Sequence, residues 1–346
     1  MKTILITGGA GFIGSNFVRY ICDRYPDYRV LVLDALTYAG SIANLPETGQ
    51  ATGQANSRFE FWYGNVLNAD LIDSLVRQAD IVMHFAAESH VTRSIFDNRQ
   101  FFETDVLGTQ VVANAVLRNA SKVELFVHIS TSEVYGTALS SKMDEDHPTN
   151  PMSPYAAAKC GADRLVYSYW QTYQIPAVIV RPFNNYGPYQ HLEKVVPRFV
   201  TSCLLGEPLT VHGNGQARRD FMFVADHCEA LDKLIHAPRK QVIGEVFNLG
   251  TGEDVSVLEI AEAVKETMHN SVSPIKLIGE RPGQVIRHTC DASKFNKRLD
   301  WKPRRNFMAG LRETVDWYVA NQEWWAPQRW LRHIPIVTAA GTREFH

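Results

Sequence analysis

The sequence predicts an α/β fold: a doubly wound parallel sheet with a smaller C-terminal lobe. Three observations predict it. Short apolar runs rich in Val, Ile and Leu alternate with helical stretches through the first half of the chain, the order that a parallel sheet covered on both faces requires. The first of these runs ends in a glycine-rich turn that opens a helix. The chain has 346 residues, 45% hydrophobic and 21% charged, enough for one large α/β core or two adjoining ones.

The elements follow in order. "TILITGG" (3–9) reads as a buried strand, with a helix after it through about Tyr25. "YRVLVLDAL" is a second strand ending at Asp34, and "RFEFWYGNV" a third ending at Asn65. A polar helix leads to a fourth strand, "ADIVMHFAA". "FETDVLGTQVVANAVLRNA" (102–120) has helical apolar spacing; "KVELFVHISTS" and "PAVIVRPFNNYG" are the fifth and sixth strands. Beyond about Gly187 the pattern loosens into short polar segments, with one clear helix at "VLEIAEAVKETM" (257–268). Residues 1–187 are expected to form the first domain. Residues 188–346 form the second lobe, with some chain returning to the first. "PETGQATGQANS" (46–57) reads as an exposed loop. No flexible linker separates the lobes, so a cleft is expected between them at the carboxyl ends of the strands.

Composition excludes several classes. The net charge is −2 with acids and bases mixed, which gives no attraction for nucleic acid or an anionic membrane. No apolar run reaches the roughly 18 residues of a bilayer span. Cys22, Cys160, Cys203, Cys228 and Cys290 are odd in number, widely spaced and without a CxxC pair; reduced thiols and a cytoplasmic location are the expectation. No histidine spacing suits a metal. "NQEWWAPQRW" (321–330) lacks a basic patch and is expected to pack internally or at a subunit contact.

Two motifs carry chemistry. "TGGAGFIG" sets Gly8, Gly11 and Gly14 three apart between strand and helix, where backbone N–H groups and the helix N-terminus receive a pyrophosphate. Asp34 ends the next strand 20 residues after Gly14 and can accept hydrogen bonds from a ribose diol. No Lys or Arg lies between Asp34 and Arg58, so NAD is favoured over NADP and a Rossmann-type site is predicted. "PYAAAKCGAD" places Tyr155 and Lys159 at i, i+4 on one helix face, with Thr131 at a strand end 24 residues earlier. A tyrosine made more acidic by nearby positive charge, a lysine and a hydroxyl suit removal of hydride from an alcohol.

Together these motifs resemble the extended short-chain dehydrogenase/reductases that act on nucleotide sugars, most closely the dTDP-glucose 4,6-dehydratases. The resemblance runs through "DALTYAG", "HFAAESHV", "STSEVYG", "NNYGPYQHLEKVVP", "GNGQARRDFMFVADH", "ERPGQVIRH" and "WKP". It implies that Gly8, Gly11, Phe12, Ile13 and Gly14 line the pyrophosphate, and that Asp34, Ala35, Leu36 and Thr37 bind the adenosine ribose. Asn65 and Val66 would approach the adenine; Phe85, Ala86, Ala87, Ser89, Thr104 and Asn185 would line the rest of the NAD site with Tyr155 and Lys159. For the sugar nucleotide it implies Ser89, His90, Asn184, Lys194, Val195, Thr210, Val211, His212, Arg219, Asn248, Arg281 and Arg287, the last and Arg219 as diphosphate contacts. It further implies a homodimer and a dTDP- or UDP-glucose substrate.

The catalytic set is then Thr131, Ser132, Glu133, Tyr155 and Lys159. In a 4,6-dehydration Tyr155 takes the 4-hydroxyl proton as C4 is oxidised, Glu133 takes the C5 proton, and the C6 hydroxyl must leave with a proton. The dehydratase pattern has Asp where this chain has Ser132, and a serine is too weak an acid for that task unaided. Three readings stay open: a dehydratase with the proton supplied by Glu133 or a relay, a UDP-glucuronate decarboxylase that needs no acid at C6, and a 4-epimerase. "DALTYAG", "NNYGPYQHLEKVVP" and "ERPG" favour the first. A silent binding protein on the same fold would be expected to have lost these residues. Asp105, in "TDVLGT", departs from the usual Asn and has no assigned role.

Overall fold

The computed structural model describes residues 1–46, 59–269, 271–280, 284–332, 334–337 and 343–345. The expected loop at 46–57 lies outside them apart from Pro46.

Six strands build the first sheet in chain order: β1 (Thr3–Thr7), β2 (Arg29–Asp34), β3 (Phe59–Tyr63), β4 (Ile81–His84), β5 (Leu125–Ile129) and β6 (Ala177–Pro182). The smaller lobe contributes β7 (Asn184–Tyr186), β8 (Leu209–His212) and β9 (Arg218–Phe223). Then come β10 (Val246–Leu249), β11 (Asp254–Ser256), β12 (Ile275–Ile278) and β13 (Arg287–His288). The seven-stranded sheet runs β10-β6-β5-β4-β1-β2-β3, every pair parallel. Its strands are Val-, Ile- and Leu-rich because both faces are covered. Ile4, Ile6, Val30 and Val32 belong to one buried cluster, and Leu5, Leu31 and Leu33 to the other.

The lobes interleave. The predicted sixth strand is two: β6 stays in the sheet, while β7 leaves it and pairs with β9 of the smaller lobe. In the other direction β10, which the sequence pattern does not single out, returns beside β6 with Phe247 against Val180. The third strand ends at Tyr63 rather than Asn65, because Gly64 N–H closes onto Asp34 O and Asn65 Oδ1 caps the Leu67 N–H at 2.9 Å. The segment Phe102–Gly108 winds as a π-helix before the regular helix Thr109–Arg118.

The smaller lobe packs the helices Val195–Leu205, Val257–Thr267 and Phe307–Ala320 around Phe199, Val211, Ile260 and Tyr318. Val257–Thr267 begins in a capping box: Ser256 Oγ accepts from Glu259 N at 3.1 Å and Glu259 Oε2 accepts from Ser256 N at 2.6 Å. The aromatic segment near the C-terminus packs internally in part. Trp325 is buried, and Trp324 Nε1 donates to Asn44 Oδ1 of the first lobe at 2.9 Å. Two antiparallel strands, Pro335–Val337 and Arg343–Phe345, follow. None of the five cysteines is in a disulfide. No helix among the described residues is long and apolar enough to cross a membrane.

Candidate active site

A cleft of about 460 Å³ opens at the carboxyl ends of β1, β2, β4 and β5, and the smaller lobe closes its other side. One end is the glycine turn. The helix Phe12–Arg24 starts directly behind Gly11, with no side chain capping its N-terminus. Gly8 sits at φ +71°, and a Cβ on it would lie 2.5 Å from Ala86 N; one on Gly14 would lie 2.3 Å from Gly8 O. The turn is therefore closed to side chains, and its N–H groups stand where a pyrophosphate would meet them. Asp34 does two things at once. Its Oδ2 accepts from Ala10 N and its Oδ1 from Leu36 N, each at 2.8 Å, while the carboxylate also lines the cleft. Burial pushes its pKa up and the two N–H bonds oppose that. These features fit a dinucleotide: a Cβ-free cradle for phosphate, then an oriented carboxylate for a ribose.

The floor comes from the end of β5 and the helix Pro154–Tyr173. Ser153 caps that helix, accepting from Ala156 N at 3.1 Å, and Pro154 occupies its first turn. Tyr155 and Lys159 then face the cleft one turn apart. Lys159 Nζ donates to Ile129 O at 2.7 Å, which fixes the ammonium under the strand end. Burial lowers the Lys159 pKa, opposed by Asp105 and Asp163. Burial also drives the Tyr155 phenol well above its ordinary value, as do the Asp105 and Glu133 charges, while a hydrogen bond with Thr131 pulls it down. The pair alone thus leaves the phenol protonated; a cationic group in the cleft would be needed to favour the phenolate.

The turn Ser132–Tyr135 follows β5 directly. Thr131 Oγ1 accepts from Glu133 N at 3.2 Å, and Thr131, Ser132 and Glu133 all border the cleft together with Tyr155. The Glu133 side chain is 21% exposed. Beyond it the cleft is walled by Ser89, His90, Asn184, Asn185, Lys194, Val195, His212 and Arg219.

Most of the sequence-predicted residues line this one cleft: Gly8, Gly11, Phe12, Ile13, Gly14, Asp34, Ala35, Thr37, Asn65, Val66, Phe85, Ala86, Ala87 and Thr104 as well as those above. Five do not. Leu36 offers its N–H to Asp34 but packs its side chain on the core. Val211 is buried in the core of the smaller lobe, and Thr210, beside it on β8, is off the cleft. Asn248 is fully buried: its Oδ1 accepts from Tyr135 Oη at 2.8 Å and its Nδ2 donates to Met143 O at 3.0 Å. Arg287 turns to Asp254, Nε to Oδ2 at 2.7 Å, on the outer face of the lobe. Arg281 lies outside the described residues. Residue type and motif position cannot reveal which face of a strand a side chain takes, and that is what removes Val211, Asn248 and Arg287.

Sequence reasoning missed several residues that line the cleft or brace its wall. Tyr38 donates its hydroxyl to Ser89 O, and Arg93 lies 4.1 Å over the Tyr38 ring while pairing with Glu193 at 2.9 Å. Gln190, His191 and Glu193 also border the cleft, and they lie inside the quoted segment 184–197, where the signal was available. His288 stands behind Glu133; it closes the quoted segment "ERPGQVIRH", but its place beside Glu133 comes from the pairing of β13 with β9. No cluster of three or more His, Cys, Asp or Glu suited to a metal occurs among the described residues.

Residues 5–314 match the family model described as GDP-mannose 4,6 dehydratase. The chain is 43% identical over 320 residues to the low-salt glycan biosynthesis protein Agl12 of Haloferax volcanii, covering 92% of this chain and 99% of that one. It is 41% identical over 327 residues to a dTDP-glucose 4,6-dehydratase of Actinoplanes sp., covering 93% and 99%. Its fold superposes on a dTDP-glucose 4,6-dehydratase of Streptomyces venezuelae, solved with NAD bound, with a TM-score of 0.86 at 39% identity, covering 94% and 99%.

Proposed function

The chain belongs to the GDP-mannose 4,6 dehydratase family, and from that premise we infer that it is an NAD-dependent nucleotide-sugar 4,6-dehydratase, a hydro-lyase. Its substrate is an NDP-hexose, dTDP- or UDP-glucose, which loses water to give the NDP-4-keto-6-deoxyhexose. When bound, NAD accepts the C4 hydride and later returns it to C6. Residues 1–187 hold it: the turn from Gly8 to Gly14 at the pyrophosphate, Asp34 and Thr37 at the adenosine ribose, Asn65 and Val66 toward the adenine, Lys159 at the nicotinamide ribose. Residues 188–346 mainly hold the sugar nucleotide, through Lys194, Val195, His212 and Arg219.

The chain's own chemistry follows from the floor of the cleft. Tyr155, hydrogen-bonded to Thr131, takes the proton of the sugar 4-hydroxyl as C4 is oxidised. The resulting ketone acidifies C5–H, and Glu133 removes that proton. The C6 oxygen then leaves as water, protonated by Glu133 and not by Ser132, whose hydroxyl is too weak an acid; the return of hydride to C6 is matched by a proton from solvent at C5, and Tyr155 releases the proton it took from the 4-hydroxyl.

The observation that carries this reading is Glu133 itself, a carboxylate on the cleft floor across from the Tyr155–Lys159 pair. A 4-epimerase or a UDP-glucuronate decarboxylase needs no base at C5; because the decarboxylases share "TSEVYG", it is the removal of the C5 proton by Glu133, and not its presence, that separates the readings. Glu133→Gln tests it: with dTDP-glucose the variant oxidises C4, accumulates reduced nicotinamide absorbance and releases no 4-keto-6-deoxy product. Full turnover by that variant would show that Glu133 is not the C5 base. We also propose a homodimer. Phe102, Leu107, Tyr167 and Tyr173, on or beside the long helices of the first lobe, are exposed apolar side chains that a second copy would cover.

A further inference from the structure

His288 is contributed by the smaller lobe, on the two-residue strand β13 that pairs with β9 opposite Arg219. It is fully buried, with its ring edge-on to Phe183 at 6.2 Å. Its Nε2 bonds to the carbonyl of Gly136, directly beyond the turn that holds Glu133. A carbonyl only accepts, so Nε2 carries the hydrogen and the neutral ring presents a lone pair at Nδ1. That Nδ1 makes no hydrogen bond among the described residues, and it lies 3.7 Å from Glu133 Oε1. An ionised carboxylate facing this lone pair gains nothing from it. A protonated carboxyl gains a hydrogen bond after a shift of ~0.7–1 Å.

Resting on the dehydratase reading above, we propose that His288 is a positioning residue for the elimination: its Nδ1 accepts a hydrogen bond from Glu133 once that carboxyl has taken the C5 proton. The balance is closed. The C5–H bond breaks and its proton goes to Glu133, while its electron pair forms the C5–C6 double bond. The C6–O bond breaks with its electrons on oxygen. That oxygen takes the proton back from Glu133 and departs as water, which leaves Glu133 a carboxylate again. In between, the proton must sit on Glu133, oriented and not lost to solvent, because Ser132 offers no second acid. His288 stabilises that one state. The arrangement also sets a pH dependence. Glu133 on the Ser132–Tyr135 turn, Arg219 on β9 and His147 from the segment after that turn are the charged or titratable groups around the ring, and burial with Arg219 favours the neutral imidazole. Acid that protonates His288 turns Nδ1 into a donor, which ion-pairs Glu133 as a carboxylate and blocks its task.

The test is single turnover of dTDP-glucose by the NAD-loaded protein, reading nicotinamide absorbance for C4 oxidation and product mass for water loss. His288→Phe should oxidise C4 at the wild-type rate but eliminate water about 10- to 100-fold more slowly, the range expected for loss of a positioning contact. His288→Gln, whose amide can donate to Gly136 O and accept from Glu133, should restore most of the elimination rate and lose the acid-side fall in its pH profile. Wild-type elimination by His288→Phe overturns the proposal. So does equal slowing of both steps without rescue by His288→Gln, the pattern of a structural role. If His288→Phe does not fold, an unchanged acid limb in His288→Gln overturns it. Failure of the wild-type protein to release water from either dTDP-glucose or UDP-glucose overturns the dehydratase reading itself, and the inference with it.

Discussion

Asp105 and Lys159 are ionisable side chains buried beside the same floor of the cleft, and burial pushes each toward its neutral form while their mutual attraction resists. Asp105 Oδ1 accepts from Glu88 N at 2.8 Å, which ties the cleft wall Phe85–Ser89 to the π-helical turn; its Oδ2 is buried with no hydrogen-bond partner among the described residues. The sequence marks Asp105 as a departure without a role, and the role becomes visible only once the wider winding of Phe102–Gly108 turns it inward. Because its folded pKa stands above the unfolded value of ~3.9, the unfolded chain releases this proton first and stability falls as pH rises between the two. Asp105→Asn keeps an acceptor for Glu88 N–H and abolishes the titration. In thermal melts from about pH 4 to about pH 8, the variant should gain on the wild type as pH rises, with the gap smallest at the acid end. Parallel curves would contradict this role for Asp105.

The turn Ser132–Tyr135 carries the C5 base, and its far end is pinned by a buried polar chain. Arg181 on β6 meets Asp163 on the helix Pro154–Tyr173 with two bonds, Nε to Oδ2 at 2.8 Å and Nη2 to Oδ1 at 2.9 Å. It also donates from Nη1 to Tyr135 Oη at 2.8 Å, and Tyr135 donates onward to Asn248. The pair draws the Asp163 carboxyl well below the ordinary range. One network thus holds the turn, the catalytic helix, β6 and β10 in register. This is why Asn248, which resemblance placed at the substrate, is a structural residue: its strand returns to the first sheet, a return the sequence pattern did not show. Arg181→Met leaves the buried Asp163 carboxylate with only Arg164, whose side chain is 43% exposed, and Ser130, so it should cost about 2–3 kcal/mol in urea unfolding. A loss below about 1 kcal/mol, the value of an exposed pair, would mean the network does not hold the turn.

Across the whole molecule, the cleft is legible wherever a local motif dictates a backbone shape. The glycine turn, the strand-end carboxylate and the i, i+4 pair each specify their own geometry; the first two stand at the ends of predicted strands and the third at the start of a helix. What escaped is what the lobes contribute by folding over one another. Tyr38 is set by its contact with Ser89 and Arg93, and His288 meets Glu133 across a separation of 155 residues. The crossing of β7 outward and β10 inward makes the two lobes one scaffold, so the base from the first lobe and its neighbour from the second are held together. One chemical outcome decides whether that scaffold carries out a dehydration. Incubate the protein with NAD and, separately, dTDP-glucose, UDP-glucose and UDP-glucuronate, and record the product masses. The expected result is loss of one water from a nucleotide hexose, with UDP-glucuronate unchanged. Loss of carbon dioxide from UDP-glucuronate, with the hexoses intact, would contradict it and make Ser132 the mark of a site that never needed an acid at C6.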